Sequence, residues 1–249
     1  CALPVLLGFV LPVLVLLRLV WLEAAHGEVG LPLARFAQWA WVSFKLAGLA
    51  ALLATSIALL LGFSLRLRES VALRLSARVV SLGYAVPGAV IAVGILLPVG
   101  WLQERFPQLG SAALVTGTLF GLMYAYLVRF SAVALQSIEA GYARVPTSID
   151  ETAHLLGASR RRMFLELHAP LLRRAGLAAM LLVFVDVMKE LPATLVLRPF
   201  NSDTLAVVAY QLARDERLGE AALPCLALVL VGLLPVMLLS RTLRSAERS

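Results

Sequence analysis

Residues 151–170 read ETAHLLGASRRRMFLELHAP, which places three consecutive arginines, two glutamates and two of three histidines in a chain that is 61% hydrophobic and 15% charged. A soluble domain carries about 25% charged and about 45–50% apolar residues. This segment is therefore a polar interruption in an apolar chain, yet it has the punctuation of helices. Ser148 is expected to cap a short helix, with Glu151 three residues on completing a capping box. Asp150 and Glu151 in its first turn suit the positive helix end. Gly157 stops that helix by taking the left-handed conformation at low cost. Ser159 is placed to cap a second helix, which Pro170 limits, and Leu155, Leu156, Met163, Phe164 and Leu167 supply apolar faces. The pattern is a helix–glycine–helix elbow. Two roles fit it equally from the residues: an amphipathic pair lying on a membrane surface through arginine–phosphate contacts, or a docking elbow for a cytoplasmic partner.

The apolar runs around the elbow define the class. About 20 mainly apolar residues are needed to cross a bilayer as a helix. Six such stretches lie near residues 2–22, 41–63, 78–99, 111–135, 177–197 and 221–239. The 249-residue chain is thus expected to be an all-α polytopic membrane protein forming one transmembrane domain, with its longest loop at 138–176. Pro87-Gly88 predicts a kink inside the third span, and Gly117 and Gly121 a small-residue stripe on the fourth. Loop arginines and lysines are unevenly shared, thirteen on the side of the 138–176 loop and five on the other. That asymmetry puts both termini and the elbow in the cytoplasm. Trp21, Trp39, Trp41 and Trp101 fall near span ends, as an aromatic belt would.

A second polar constellation lies within the fifth span. Asp186, Lys189 and Glu190 are spaced to share one helical face. Three charges at a helix centre cost roughly 8–10 kcal/mol on the insertion scale, and the eleven Leu, Val and Phe residues of 177–197 return only about 3–7. The charged face should therefore point into the bundle or a wet path. It serves there either as an ion-pair clamp, with Lys189 neutralising Asp186 or Glu190, or as part of a translocation path or gate that Pro192 can kink.

The spacing Glu151-Thr152-Ala153, Gly157 and Pro170 resembles the cytoplasmic signature of binding-protein-dependent ABC transporter permeases. The family pattern is Glu-Ala-Ala, three residues, Gly, nine residues, Ile-any-Leu-Pro; the chain departs from it at Thr152, Leu167 and Ala169. The resemblance implies that Asp150, Glu151, Ala153, Gly157, Ala158 and Pro170 belong to a coupling helix seated on an ABC ATPase subunit. A narrower resemblance, carried by GYAVPGAVIAVG at 83–94, DVMKELPATLVLRPFNSDTLAVVAY at 186–210 and EAALPCLALVLVGLLPVMLLSR at 220–241, is to the C-terminal half of ferric-iron permeases. It implies a bacterial inner-membrane channel that receives iron(III) from a periplasmic binding protein and pairs with a second permease half. The single elbow and the absence of an initiator Met fit a piece of a double-length chain or such a half. By the same resemblance this chain binds no cofactor, and ATP with its magnesium sits on the partner.

Other classes fit less well. The net charge of +7 flanks apolar spans and shows no basic groove interleaved with aromatics, which argues against nucleic acid. Cys1 and Cys225 have no metal-ligand spacing, and Cys225 reads as a core residue. His154 and His168 read as loop-surface or partner-interface residues, and His-Glu-any-any-His is missing. Asp186, Glu190, Tyr84 and Tyr124 are hard oxygen donors that suit iron(III), but a permease must release its cargo, so no metal site is assigned. Thiamine, polyamine or an oxyanion such as sulfate or molybdate are alternative cargoes on the same machinery. An ion-coupled secondary transporter is the rival class, and the elbow argues against it.

Overall fold

The computed structural model describes residues 2–27, 30–68 and 70–246. Cys1 and Arg248 lie outside the described residues, as do the side chains of Arg241 and Arg244. Every regular element among the described residues is helical. They are α1 (Ala2–His26), α2 (Leu33–Leu67), α3 (Val71–Leu82), α4 (Gly88–Arg105), α5 (Ser111–Thr116) and α6 (Leu119–Tyr142). After them come α7 (Ser148–Leu155), α8 (residues 160–171), α9 (Arg173–Met188), α10 (Pro192–Leu197), α11 (Leu205–Arg214) and α12 (Leu218–Ala246).

The core is the three-way packing of α2, α6 and α9. Its cause is legible in α2, whose buried residues are Ser43, Leu46, Ala47, Ala50, Ala51, Ala54, Thr55, Ala58 and Gly62. Spacings of three and four put them on one stripe, and eight of the nine are Ala, Gly, Ser or Thr. Small side chains let neighbouring backbones approach, which is how helices associate when hydrophobic burial gives no advantage over lipid. At Gly62 the approach is tight: a Cβ there would lie 2.9 Å from Ile138 and 3.3 Å from Tyr142 of α6. The larger buried residues Leu122, Tyr126, Leu135 and Ile138 of α6 fill the space opposite. Around this trio, α1 leans on α12, α12 on α11 and α9, and α4 on α6 and α10. Ser43 of α2 accepts the Leu205 backbone N–H at 2.8 Å and so fixes the start of α11.

Among the described residues, three helices, α1, α2 and α6, are each long and apolar enough to cross a membrane, and a fourth span results if the bent pair α3 and α4 is counted as one. The expected third span, 78–99, is not one kinked helix. The chain breaks at Gly83–Pro87, and the helices on either side differ in direction by 115°. Gly83 permits the break because its missing Cβ would lie 1.9 Å from the Val128 carbonyl oxygen. The expected fourth span, 111–135, is cut at Gly117–Thr118, where the Thr118 side chain accepts the Phe120 N–H at 3.1 Å and starts α6. Gly117 and Gly121 therefore form no stripe on a single helix. Helix α6 also runs on to Tyr142, through the first residues of the expected 138–176 loop. The expected fifth span, 177–197, ends as α9 at Met188 and resumes as α10 at Pro192. The remaining helices exceed their expected stretches, α12 by three residues before 221 and seven beyond 239.

Candidate functional site

The elbow forms from local signals. Helix α7 ends at Gly157, whose φ of +77° is left-handed. The Gly157 N–H reaches the His154 carbonyl at 2.9 Å and the Ala158 N–H reaches Ala153 at 3.0 Å. This paired termination satisfies the last carbonyls of the helix. Ser159 then caps α8, accepting the Arg162 N–H at 3.3 Å. Helix α8 runs to 171, one residue beyond Pro170, with a wide turn at Met163–His168. The expected capping box at Ser148 does not form. Thr147 precedes the helix with φ −69° and ψ −27°, already helical, so no side chain is aimed back at the free N–H groups; Ser148 is the first helical residue.

The two faces of α7 differ. Ala153 joins Ser148, Ile149, Thr152, Leu156 and Leu167 around a shallow groove of about 310 Å³. Leu155 and Leu156 beside it are almost fully exposed, and Glu151 is exposed as well. Ala158 is half-buried and Pro170 exposed. Asp150 faces inward. Its Oδ2 accepts from Arg66 Nε at 2.6 Å, and its Oδ1 lies 3.0 Å from His168 Nε2.

Arg66 was not signalled by any motif. It stands in the last turn of α2, 84 positions from Asp150, and is tied to three further acceptors, the carbonyl of Tyr142 at the end of α6 and those of Val145 and Pro146 just after it. His168 is a correction. It is not on the loop surface but fully buried. Its ring lies 4.9 Å from that of Phe63 and 5.6 Å from that of Tyr142. Burial holds its pKa below the ordinary histidine value, against the pull of Asp150 in the other direction.

The charges of the expected fifth span are also rearranged. Because α9 ends before Lys189, the three residues do not share a helical face. Asp186 pairs with Lys189 at 3.0 Å, and the Lys189 side chain is 60% exposed. Glu190 turns the other way. Its side chain is 3% exposed, lies 3.7 Å from Arg129 of α6 and accepts the Ala193 N–H at 3.0 Å. Pro192 opens α10, where its missing N–H costs nothing. Thr194 then donates to the Glu190 carbonyl at 2.9 Å and meets the Tyr126 hydroxyl at 2.7 Å. Gly88 at the start of α4 closes over the pair: a Cβ there would lie 2.2 Å from Glu190 Oε1 and 2.6 Å from Arg129 Nη1. Arg129 was visible in the sequence only as a charge inside an apolar run. Among the described residues, no cluster of three His, Cys, Asp or Glu side chains is placed to hold a metal ion.

A bundle of apolar helices with a polar helix–glycine–helix elbow at one end defines a polytopic helical membrane permease. The chain belongs to the family of binding-protein-dependent transport system inner membrane components, whose model matches residues 54–248. It is 29% identical over 201 residues to the Fe(3+)-transport system permease protein FbpB 2 of Haemophilus influenzae, covering 80% of this chain and 38% of that protein. It is also 29% identical over 157 residues to the putative 2-aminoethylphosphonate transport system permease protein PhnV of Salmonella typhimurium, covering 63% of this chain and 56% of that one. The chain thus spans about half the length of these relatives or less. A crystal structure of a bacterial alginate ABC transporter, in complex with its alginate pentasaccharide-bound periplasmic protein, contains a chain of the same fold. The match has a TM-score of 0.65 at 14% identity and covers 94% of this chain and 88% of that one.

Proposed function

We propose that the chain is a membrane-spanning permease component of an ATP-driven importer. In this reading iron(III) passes from a periplasmic binding protein, through the bilayer of a bacterial inner membrane, to the cytoplasm. The observation that carries the reading is the two-sided elbow. Asp150 anchors it inward, while Leu155, Leu156 and the groove at Ala153 are left uncovered at the tip. Exposed leucines beside a concave apolar surface are an interaction site rather than a solvated loop. An ABC ATPase subunit is their occupant in this reading, and ATP and magnesium belong to it. The lysine and arginine asymmetry puts the elbow and both termini in the cytoplasm. A second permease half completes the channel.

Iron(III) as cargo rests on the Fe(3+)-transport relative and on the resemblance carried by DVMKELPATLVLRPFNSDTLAVVAY at 186–210. A 2-aminoethylphosphonate cargo is the second reading, and the PhnV relatives favour it. The test is uptake of radioactive iron(III), and separately of labelled 2-aminoethylphosphonate, by cells carrying the complete transporter. Native protein is compared with Gly157→Val at matched membrane levels. ATP-dependent iron uptake that Gly157→Val abolishes supports both coupling and cargo. Phosphonate uptake alone moves the cargo to the second reading. Uptake that follows an ion gradient and ignores ATP depletion overturns the importer.

A further inference from the structure

Arg66 lies outside the elbow and outside the motif that identifies it, yet it binds more of that end of the molecule than any elbow residue does. Its Nε donates to Asp150 Oδ2 at 2.6 Å. Its Nη2 donates to the carbonyls of Val145 and Pro146, each at 2.8 Å, and its Nη1 to that of Tyr142 at 3.3 Å. One planar fork thus joins three pieces of chain: the end of α2, the turn after α6, and α7. Guanidinium geometry is suited to several acceptors at fixed angles, where an ammonium would serve as a point charge. The arginine side chain is 12% exposed and the aspartate 13%, so water screens the pair little. The guanidinium also lies 5.5 Å from the Tyr142 ring centre. One turn back, Gly62 locks α2 against Ile138 and Tyr142. Ring contacts between α2 and the elbow place Phe63 against Phe164 and His168. Apolar ring contacts lack direction and slide; the Arg66 bonds do not.

We propose that Arg66 is a positioning residue that conveys displacement of the elbow to α2, and through α2 to the packed α2–α6 pair. The inference rests on the coupling reading above and adds the route by which movement leaves the elbow.

The test is hydrogen exchange followed by mass spectrometry on the complete transporter in nanodiscs, with and without ATP and vanadate. Native protein is compared with Arg66→Met, Arg66→Lys and Asp150→Asn. The expected result is that nucleotide alters exchange in both 148–157 and the last two turns of α2 in native protein. In Arg66→Met the change in 148–157 persists and the change in α2 is lost. Arg66→Lys and Asp150→Asn, which keep a polar partner, retain part of it. A nucleotide response in α2 that survives Arg66→Met overturns the proposal. So does unprotected exchange at the elbow of all three variants before nucleotide is added, since Arg66 would then only hold the fold. If 148–157 of the native protein ignores nucleotide, the coupling reading itself fails, and the proposal with it.

Discussion

Glu190 lies 3.7 Å from Arg129 of the neighbouring helix, while Lys189, its neighbour in sequence, turns outward to Asp186. Two ion pairs with different surroundings therefore replace one three-charge cluster. A pair with both partners exposed contributes about 0–1 kcal/mol, and in Asp186–Lys189 only the lysine is exposed. Breaking a buried pair costs about 3–5 kcal/mol, because it strands the remaining charge. Lys189→Ala removes an exposed side chain but leaves Asp186, 17% exposed, without its cation, so its cost is expected to be smaller than that of Glu190→Ala but not zero. Glu190→Ala is expected to destabilise by about 3–5 kcal/mol, leaving buried Arg129 nitrogens without a carboxylate. The double variant Arg129→Met/Glu190→Leu should recover most of that loss. Thermal unfolding of the purified protein in detergent reads all three, and equal effects from Lys189→Ala and Glu190→Ala would contradict the burial difference.

The glycines beside this pair make a steric prediction. Gly83→Ala would place Cβ 1.9 Å from a backbone oxygen, which has no rotamer to yield, and Gly88→Ala 2.2 Å from Glu190 Oε1. Forcing atoms into a packed site costs typically about 1–3 kcal/mol. Gly94 has nothing within 4 Å of such a Cβ, so Gly94→Ala should be neutral or slightly stabilising. The order of folded yields in membranes is expected to be Gly94→Ala above Gly88→Ala above Gly83→Ala.

Burial of His168 gives the elbow a pH dependence with a definite sign. Above the ordinary histidine pKa of about 6.5, the ring is neutral in both folded and unfolded chains and contributes no slope. Its folded pKa is depressed, chiefly by burial. Below that pH the unfolded chain takes up a proton that the folded one refuses, so stability falls as pH drops through 6.5 toward the folded value. Asp150 and Arg66 are the charged groups facing it. The melting temperature should decline from pH 7.5 to 5.5 in native protein. The part of that slope due to this ring should vanish in His168→Gln; an unchanged slope would refute the assignment.

At Gly157 the constraint is the backbone and not the space. Its φ of +77° is disfavoured for a side chain, yet nothing lies within 4 Å of an added Cβ. An ordinary residue pays about 1–2 kcal/mol for this conformation, and Asn adopts it more readily. Gly157→Asn is expected to preserve the turn and ATP-dependent uptake, whereas Gly157→Val should lose uptake with membrane levels intact. Equal loss in both would place the defect in contact with the partner and not in the turn.

The all-α class and the elbow were legible in the sequence because each rests on short-range causes. Long apolar stretches have few ways to satisfy their backbone in lipid except as helices. The stop at Gly157 and the cap at Ser159 involve bonds no more than five residues apart. Pro87-Gly88 and Pro192 marked possible kinks, but the 115° extent of the break at 83–87, the cut at 117–118 and the end of α9 before Lys189 were not legible, since those decisions rest with neighbours packed from elsewhere. Nor were the partners of the charges. Asp150 finds Arg66 from 84 positions away, Glu190 finds Arg129 from 61, and His168 is buried only because α2 and α6 close over it. Residue spacing along one helix determines which groups share a face. Which face meets which neighbour is a property of packed helices, and tertiary structure alone decided it.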